Sequence, residues 1–130
     1  MSARELIEEA VQAWIDGNEK AFWLLLAEDV EYSVIGSTQV SGTYQGRQAF
    51  FEGALFPMSA LMAQSPRPTE IDIIAEGERV VLIWTGEGGV MKDGAPYNNS
   101  YCWVLDIRGG RIQRVKAYLD TELVTALFNQ

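Results

Sequence analysis

Two long segments near the end of the chain alternate between apolar and polar residues and are separated only by Gly109–Gly110. The first reads PYNNSYCWVLDI and the second RIQRVKAYL. Alternation with a period of two is typical of a β-strand. A glycine pair between two such segments favours the tight turn of an antiparallel hairpin. The sequence therefore predicts two long paired strands at residues 96–107 and 111–119.

The segments before this hairpin also read as strands. TEIDIIAE and RVVLIWTGEG are predicted to meet at a short turn around Glu76–Gly77, and GVMKDGAP to form a loop or hairpin end. Gly86, Gly88 and Gly89 lie in or beside the third long strand, where glycines indicate bulges that bend a sheet strongly. The second half of the chain is therefore predicted to be an antiparallel meander.

The first half of the chain is predicted to be mainly helical. Residues 3–15 carry an apolar stripe at helical spacing, and Gly17 ends this helix. Asn18 is expected to cap a second helix that continues to about residue 27, and DVEYSVIG follows as a first strand. A third helix, RQAFFEGALFPMSALM, contains Pro57, so a kink or break is expected there. This order of elements defines the α+β class.

The composition is that of one soluble domain spanning residues 1–130. Lys and Arg number 10 against 18 Asp and Glu, which gives a net charge of -8. A surface this acidic repels phosphate groups, so neither nucleic acid nor a membrane is expected as a partner. The longest apolar run, AFWLLLA, is too short to cross a bilayer, and the first residues do not resemble a signal peptide. With Cys102 as the only cysteine no internal disulfide can form, and a cytoplasmic location is expected.

The sequence contains no histidine. This excludes Ser-His-Asp and Cys-His nucleophilic machinery. A single cysteine also cannot build a thiolate zinc site, so we expect neither a metal nor a cofactor. Any acid–base chemistry must use Asp, Glu, Tyr, Lys or Cys side chains.

The order and spacing of several motifs resemble one known superfamily. WIDGNEKAFWLLLAEDVEYSVIG is followed by SGTYQGRQAF, and the last strand reads GGRIQRVKAYLD. Together these segments resemble the SnoaL-like, ketosteroid-isomerase-like branch of the nuclear transport factor 2-like (cystatin-like) fold over nearly the whole chain. The resemblance implies a cone, in which a strongly curved mixed or antiparallel sheet wraps around the N-terminal helices and encloses a pocket.

The resemblance also sets which residues of each strand face the inside of the cone, because neighbouring side chains alternate between faces. The implied lining is aromatic, with two phenols and one amide as its polar groups. Such a lining suits an apolar or polycyclic carbonyl compound held by a few hydrogen bonds. Alternatively, Trp84 and Trp103 fill the pocket. The expected ligand contacts are Trp14, Tyr32, Val34, Phe50, Leu55, Met58, Trp84, Asn99, Tyr101, Trp103 and Ala117.

The catalytic residues of three related enzyme groups can be matched to this sequence, and most of them are replaced. The base position of ketosteroid isomerases falls at Val34 or Ser33, and both of their oxyanion donors are missing. Of the residues used by limonene epoxide hydrolases only Tyr32 is retained, and the acidic position of SnoaL-type cyclases falls nearest Ala117. The resemblance therefore implies a pocket without the family's ionisable groups.

Three residues remain as candidates for catalysis. Tyr32 could polarise a carbonyl, and Glu87 adjoins a glycine-rich stretch where a bulge could turn it inward. Asp120 is out of phase with Ala117 and directly precedes TELVTALF, where its side chain can cap the final helix. We expect Asp120 to be architectural. Three functions stay open: a small-molecule binder, an isomerase, cyclase or hydrolase that uses Glu87 or Asp120, and a scaffold module with a filled core.

The outward-facing side chains of the sheet are partly apolar. A half-apolar outer face favours a homodimer through that surface, and the resemblance implies the same. The residues expected on this face are Val81, Ile83, Cys102, Val104 and Tyr118, mixed with Asn98, Ser100 and Lys116.

Overall fold

A curved, open, mixed sheet of seven strands dominates the computed structural model, which describes residues 1–130. The strand order is β2-β1-β7-β6-β5-β3, with β4 also paired to β5. Only β1 and β7 run parallel. The strands are β1 Leu26–Val34, β2 Gly42–Gln45, β3 Met62–Gln64, β4 Arg67–Glu76, β5 Arg79–Met91, β6 Pro96–Arg108 and β7 Arg111–Leu119. The helices are α1 Ala3–Ile15, α2 Lys20–Trp23, α3 Arg47–Phe50, α4 Phe56–Ala60 and α5 Thr121–Phe128, with a π-helical turn at Phe51–Leu55. The predicted α+β class is confirmed.

The glycine pair between β6 and β7 forms the predicted hairpin turn. Arg108 pairs with Arg111, so Gly109 and Gly110 are the only two residues of the loop. Their φ angles are 59° and 74°. A two-residue turn in which both residues have positive φ matches the right-handed twist of the strands it joins, and glycine adopts it without steric cost.

The predicted bulge in β5 is present. The register between β5 and β6 shifts between Gly86 and Gly89. A second irregularity lies in β4, where the register against β5 shifts between Thr69 and Asp72 and Glu70 has a φ of 48°. Because extra residues bend a strand and increase its twist, these two sites help to curve the sheet around the helices.

The second helix is shorter than the sequence predicts. It ends at Trp23 instead of continuing to about residue 27, and Leu26 already belongs to β1. The reason is a tertiary contact: Leu26 pairs with Ile112 of β7, and the Ile112 amide donates to the Leu25 carbonyl at 2.9 Å. Sheet pairing of LLLA therefore overrides its helical propensity. The same pairing buries the Leu26 side chain in the core.

The third helix breaks in the way that its proline predicts, with a π-helical turn before Pro57. Proline has no amide hydrogen, so it cannot donate to the carbonyl four residues earlier, which belongs to Gly53. The Tyr44 hydroxyl lies 3.4 Å from that carbonyl oxygen and donates to the Val40 carbonyl at 2.8 Å. A Cβ at residue 53 would lie 2.4 Å from the Tyr44 ring, so glycine allows the ring to cover the helix. Strand β2 is thereby attached to the broken helix.

The main core lies between the helices and the concave face of the sheet. The apolar stripe of α1 contributes Ile7, Ala10, Val11 and Trp14, and a capping box between Ser2 and Glu5 starts that helix. A second small cluster of Met91, Tyr97 and Leu127 holds α5 against the sheet. None of the helices has the length and apolarity that crossing a bilayer requires.

Candidate ligand-binding site

A cavity of about 80 Å³ lies between the concave face of the sheet and the helices. Its strand residues alternate along β1, β5, β6 and β7, because every second side chain of a strand points to the same face. Ten of the eleven expected ligand contacts lie on its wall. They are Trp14, Tyr32, Val34, Phe50, Leu55, Met58, Trp84, Tyr101, Trp103 and Ala117.

Further residues on the wall were not predicted as ligand contacts. Tyr97 shares the strand phase of Tyr101 and Trp103, so alternation along β6 could have identified it. The others include the side chains between α4 and β4, which no strand phase could place. The additional residues are Glu19, Trp23, Val40, Ser59, Met62, Ser65, Pro66, Tyr97 and Leu119.

Stacked and edge-on aromatic rings occupy most of the interior. The Trp84 and Tyr101 rings stack with centroids 4.1 Å apart, and Trp103 meets Trp84 edge-on at 4.9 Å. Tyr32 stacks on Phe50 at 3.6 Å. Pockets for drug-sized ligands usually have volumes of about 300–1,000 Å³, so the two tryptophans fill much of the space that the fold encloses. A ligand larger than one ring requires the rim to move.

The rim of the cavity is built from flexible and solvent-exposed side chains. Ser59 and Ser65 are exposed, and Leu55, Met58 and Met62 are half-buried. Methionine side chains are unbranched and adapt their shape readily. The π-helical turn ends at Leu55, and such turns are often found at functional sites. The rim is therefore the part of the wall best able to open for a larger guest.

Three phenols, those of Tyr32, Tyr97 and Tyr101, lie on the wall. Tyr32 is buried, and its hydroxyl makes no hydrogen bond within the protein. Burial raises the pKa of Tyr32 well above its usual value. Burial, and then the neighbouring Tyr97 hydroxyl, also raise the pKa of Tyr101, and burial raises that of Tyr97. All three groups therefore stay protonated near neutral pH and can donate to an acceptor.

The indole nitrogen of Trp84 is enclosed without any hydrogen-bond partner. Trp84 meets the rings of Trp14 and Trp103 edge-on, at centroid distances of 5.1 and 4.9 Å. Most buried donors in proteins are paired, and leaving one unpaired costs about 1–3 kcal/mol. The wall thus contains a second donor that the protein itself does not use.

One carboxylate lies on the cavity wall, and the sequence did not identify it. Glu19 precedes α2 and also borders a surface hollow whose lining includes Gly17, Gln64 and Arg67, so it stands at the cavity mouth. Its Oε2 accepts the Trp23 indole N–H at 2.8 Å. The expectation of a lining without ionisable acids is therefore wrong at this position. A possible signal was the spacing Glu19–Trp23, one helical turn, beside the glycine that ends α1.

Asn99 is buried but does not line the cavity. Its amide nitrogen donates to the Tyr97 hydroxyl at 3.1 Å and to the Asp120 carbonyl at 3.2 Å. Its amide oxygen accepts the Asp120 backbone N–H at 3.1 Å. Asn99 was expected to contact a ligand, but its polar atoms bond to Tyr97 and Asp120 instead. Its role is therefore structural, at the end of β7.

The other two candidate carboxylates lie outside the cavity. Glu87 is exposed on β5 opposite Arg67. Asp120 is exposed, and its Oδ1 accepts the Glu122 N–H at 3.0 Å as the cap of α5. No group of three or more metal-ligating side chains occurs in the protein. Of the three predicted candidates for catalysis, Tyr32, Glu87 and Asp120, only Tyr32 lies on the cavity wall. Glu19, which was not predicted, lies there as well.

The chain is similar to one known domain family and to solved structures of the same fold. A family model described as a SnoaL-like domain matches residues 7–115. No curated protein matches the sequence. A nuclear transport factor 2-like protein from Burkholderia thailandensis superposes with a TM-score of 0.79 at 15% identity, over 98% of both chains.

Two further solved structures are similar to this chain. TerC, crystallised with polyporic acid, superposes with a TM-score of 0.77 at 21% identity, over 98% of both chains. A putative polyketide cyclase from Pseudomonas putida gives a TM-score of 0.73 at 23% identity, again over 98% of both chains. At such identities these likenesses establish the fold.

Proposed function

The chain belongs to the SnoaL-like domain family, and from this premise we propose that it binds a small, flat, largely apolar carbonyl compound in its aromatic cavity. The ligand lies among the tryptophan and tyrosine rings, and its carbonyl oxygen accepts a hydrogen bond from Tyr32. Tyr101 is the second expected contact. The remaining affinity comes from the burial of apolar surface.

The unpartnered hydroxyl of Tyr32 carries this proposal. The side chain is 3% exposed and fixed by its stacking on Phe50, yet its O–H has no acceptor in the protein. A donor in a cavity that exchanges water for a ligand acceptor gains about 1 kcal/mol net. A carbonyl group on a flat molecule supplies that acceptor and leaves the rest of the ligand apolar.

The comparisons support the ligand class in two ways. TerC was crystallised with polyporic acid, and two similar structures are described as putative polyketide cyclases. The small volume of the cavity favours a single-ring ligand, or a larger one that displaces Met58 and Met62 at the rim.

A thermal-shift and calorimetry panel tests the proposal. It contains acetophenone, a naphthoquinone, a steroid ketone and polyporic acid, each paired with the closest compound that lacks the carbonyl. A ligand that binds the folded state raises the melting temperature with its concentration. We expect Tyr32→Phe to weaken carbonyl ligands about fivefold and to leave their carbonyl-free partners unchanged. Tyr118→Phe, an exposed tyrosine outside the cavity, is the control. No binding across the panel, or equal affinity in Tyr32→Phe, contradicts the proposal.

The carboxylate of Glu19 supports a second candidate function, in which the protein catalyses proton transfer on a ligand bound in the same cavity. In this reaction the carboxylate removes a proton from the carbon next to the ligand's carbonyl, and the electron pair moves to the carbonyl oxygen, held by the Tyr32 hydroxyl. The carboxylic acid then returns a proton to carbon. In heavy water the carboxyl proton exchanges with solvent, so the carbon takes up deuterium, which NMR detects for a bound ketone that carries hydrogen on that carbon. Exchange that persists in Glu19→Gln rules out Glu19 as the base.

The outer face of the sheet supports a homodimer as part of this proposal. Ile83, Cys102 and Tyr118 form one row across β5, β6 and β7, and Val81 and Val104 lie in the next row. Ile83 and Tyr118 are 37% and 39% exposed. A second copy of the chain would bury this apolar face, and the polar side chains around it would form the rim of the interface.

A further inference from the structure

The carboxylate of Glu19 lies where the aromatic cavity meets a surface hollow that Arg67 also lines. It is the only charged residue on the cavity wall, and no Lys or Arg lines the cavity. None of the three ion pairs of the protein, Arg4–Glu8, Arg79–Asp106 and Arg114–Glu31, includes Glu19. A carboxylate that is half-buried and unpaired favours any neighbour that brings a hydrogen-bond donor or a positive charge.

We infer that Glu19 determines ligand selectivity: the cavity accepts molecules that present a hydroxyl or amine donor to this carboxylate, and it rejects carboxylates. This inference rests on the proposed function and specifies the second polar group of its ligand. The carbonyl accepts from Tyr32, and the donor group faces Glu19 at the mouth.

The geometry of the Glu19 side chain leaves one oxygen free for such a contact. Oε2 accepts the Trp23 indole N–H at 2.8 Å, which fixes the carboxylate against the wall. Oε1 accepts no hydrogen bond within the protein. A glutamine could accept the Trp23 N–H equally well with its amide oxygen. The structural role therefore does not require a charge, and the charge is available to a ligand.

The surroundings strengthen the preference against anions. All four tryptophans of the chain lie on the cavity wall, and a cation over the face of an indole ring is attracted by it. The net charge of -8 creates a repulsive field for an approaching carboxylate. A neutral hydroxyl or a protonated amine does not meet this repulsion.

A matched series of ligands tests this inference by isothermal titration calorimetry. The series has one core, acetophenone, and carries at its para or meta position a hydroxyl, an aminomethyl, a methoxy or a carboxylate group. The hydroxyl and aminomethyl arms distinguish a neutral donor from a cationic one. Of the hydroxyl and aminomethyl compounds, we expect the tighter binder to have at least about tenfold higher affinity than the methoxy compound. The reason is that a hydrogen bond to a charged group is stronger than one between neutral groups. The carboxylate compound is expected to bind most weakly.

Two variants separate selectivity from structure. Glu19→Gln keeps an acceptor for Trp23 but removes the charge, so we expect the donor advantage and the carboxylate penalty each to fall by about fivefold or more. Affinity for the methoxy compound should change less than about twofold in the same variant. Glu9→Gln removes an exposed charge from α1 that belongs to no ion pair, and it should preserve the wild-type ranking.

The outcomes also separate this inference from the proposed function. If acetophenone and its methoxy derivative bind but the series shows no ranking, or if Glu19→Gln keeps the full ranking, the inference is wrong and the proposed function stands. If no member of the series binds and the wider carbonyl panel also fails, both are wrong.

Discussion

The side-chain amide of Asn99 brackets the backbone of Asp120, donating to its carbonyl at 3.2 Å and accepting from its N–H at 3.1 Å. The same amide nitrogen also donates to the Tyr97 hydroxyl at 3.1 Å. The Asn99 side chain thus bonds to the backbone of Asp120 as a neighbouring strand would, at the point where β7 ends and α5 begins. Asn99 and Asp120 are both site candidates in the sequence, but in the structure they bond to each other and do not line the cavity.

Replacing Asn99 by alanine is expected to destabilise the fold by about 2–4 kcal/mol, because the Asp120 amide and carbonyl and the Tyr97 hydroxyl lose a partner in a buried position. Urea unfolding measures the change. The matched control is Ser100→Ala, since Ser100 is exposed on the opposite face of β6. A loss below about 1 kcal/mol for Asn99→Ala would show that water replaces these bonds.

Asp120 is expected to behave as a helix cap. Asp120→Ala should lower the free energy of unfolding by about 1 kcal/mol, whereas Asp120→Asn should change it only slightly, because asparagine is an equally good cap. Neither substitution should alter the affinity of a cavity ligand. The comparison is made by urea unfolding and calorimetry on the same samples. If Asp120→Asn lowers the affinity for a ligand, the Asp120 carboxylate contributes to ligand binding after all.

Strand phase was the part of the fold that the sequence specified best. Alternation, once phased by the family resemblance, placed Tyr32, Trp84 and Tyr101 on the inner face, where the structure has them. It could not foresee that Asn99, on the same face, would bond to Asp120 instead of facing the cavity. A strand pattern encodes which side a residue points to, but the partner it finds there depends on an element far away in the chain.

Gly53 is expected to tolerate no side chain. A Cβ at this position would lie 2.4 Å from a ring carbon of Tyr44, and the ring is fixed by its hydroxyl bond to the Val40 carbonyl. Gly53→Ala should therefore destabilise the protein by about 1–3 kcal/mol despite the better helix propensity of alanine. Combined with Tyr44→Leu, the same substitution should cost less. Additive effects in this double-mutant cycle would mean that the two residues do not interact.

Glu19 shows why the site could be predicted only in part. In the sequence it reads as the first polar residue of a helix, after the Gly17–Asn18 turn. Its place on the cavity wall depends on how α2 packs, and α2 is short because Leu26 pairs with Ile112 in β7. A pattern of local periodicity does not contain that long-range pairing. The residues at the cavity mouth were therefore less predictable than the strand residues that line its interior.

The outer sheet face is expected to form the dimer interface. Ile83→Glu places a charge at one end of the apolar row, beside Cys102, so it should weaken dimerisation by at least about tenfold. Leu24→Glu makes the same change at an exposed position at the end of α2, and it should have no effect. Sedimentation velocity over a concentration series measures both. A wild-type protein that sediments as a monomer throughout would contradict the dimer.

The buried tyrosines are expected to make stability fall at alkaline pH. Burial raises the pKa values of Tyr32, Tyr97 and Tyr101 above the value of 10.0 that they have in an unfolded chain. Below about pH 10 both states keep these protons, so the tyrosines give no slope. Above it the unfolded state releases protons that the folded state retains, and each tyrosine lowers the free energy of unfolding by about 1.4 kcal/mol per pH unit. Urea midpoints across this range should fall less steeply in Tyr32→Phe than in the wild type. Equal slopes in the two proteins would mean that the Tyr32 hydroxyl ionises as easily inside the cavity as in water.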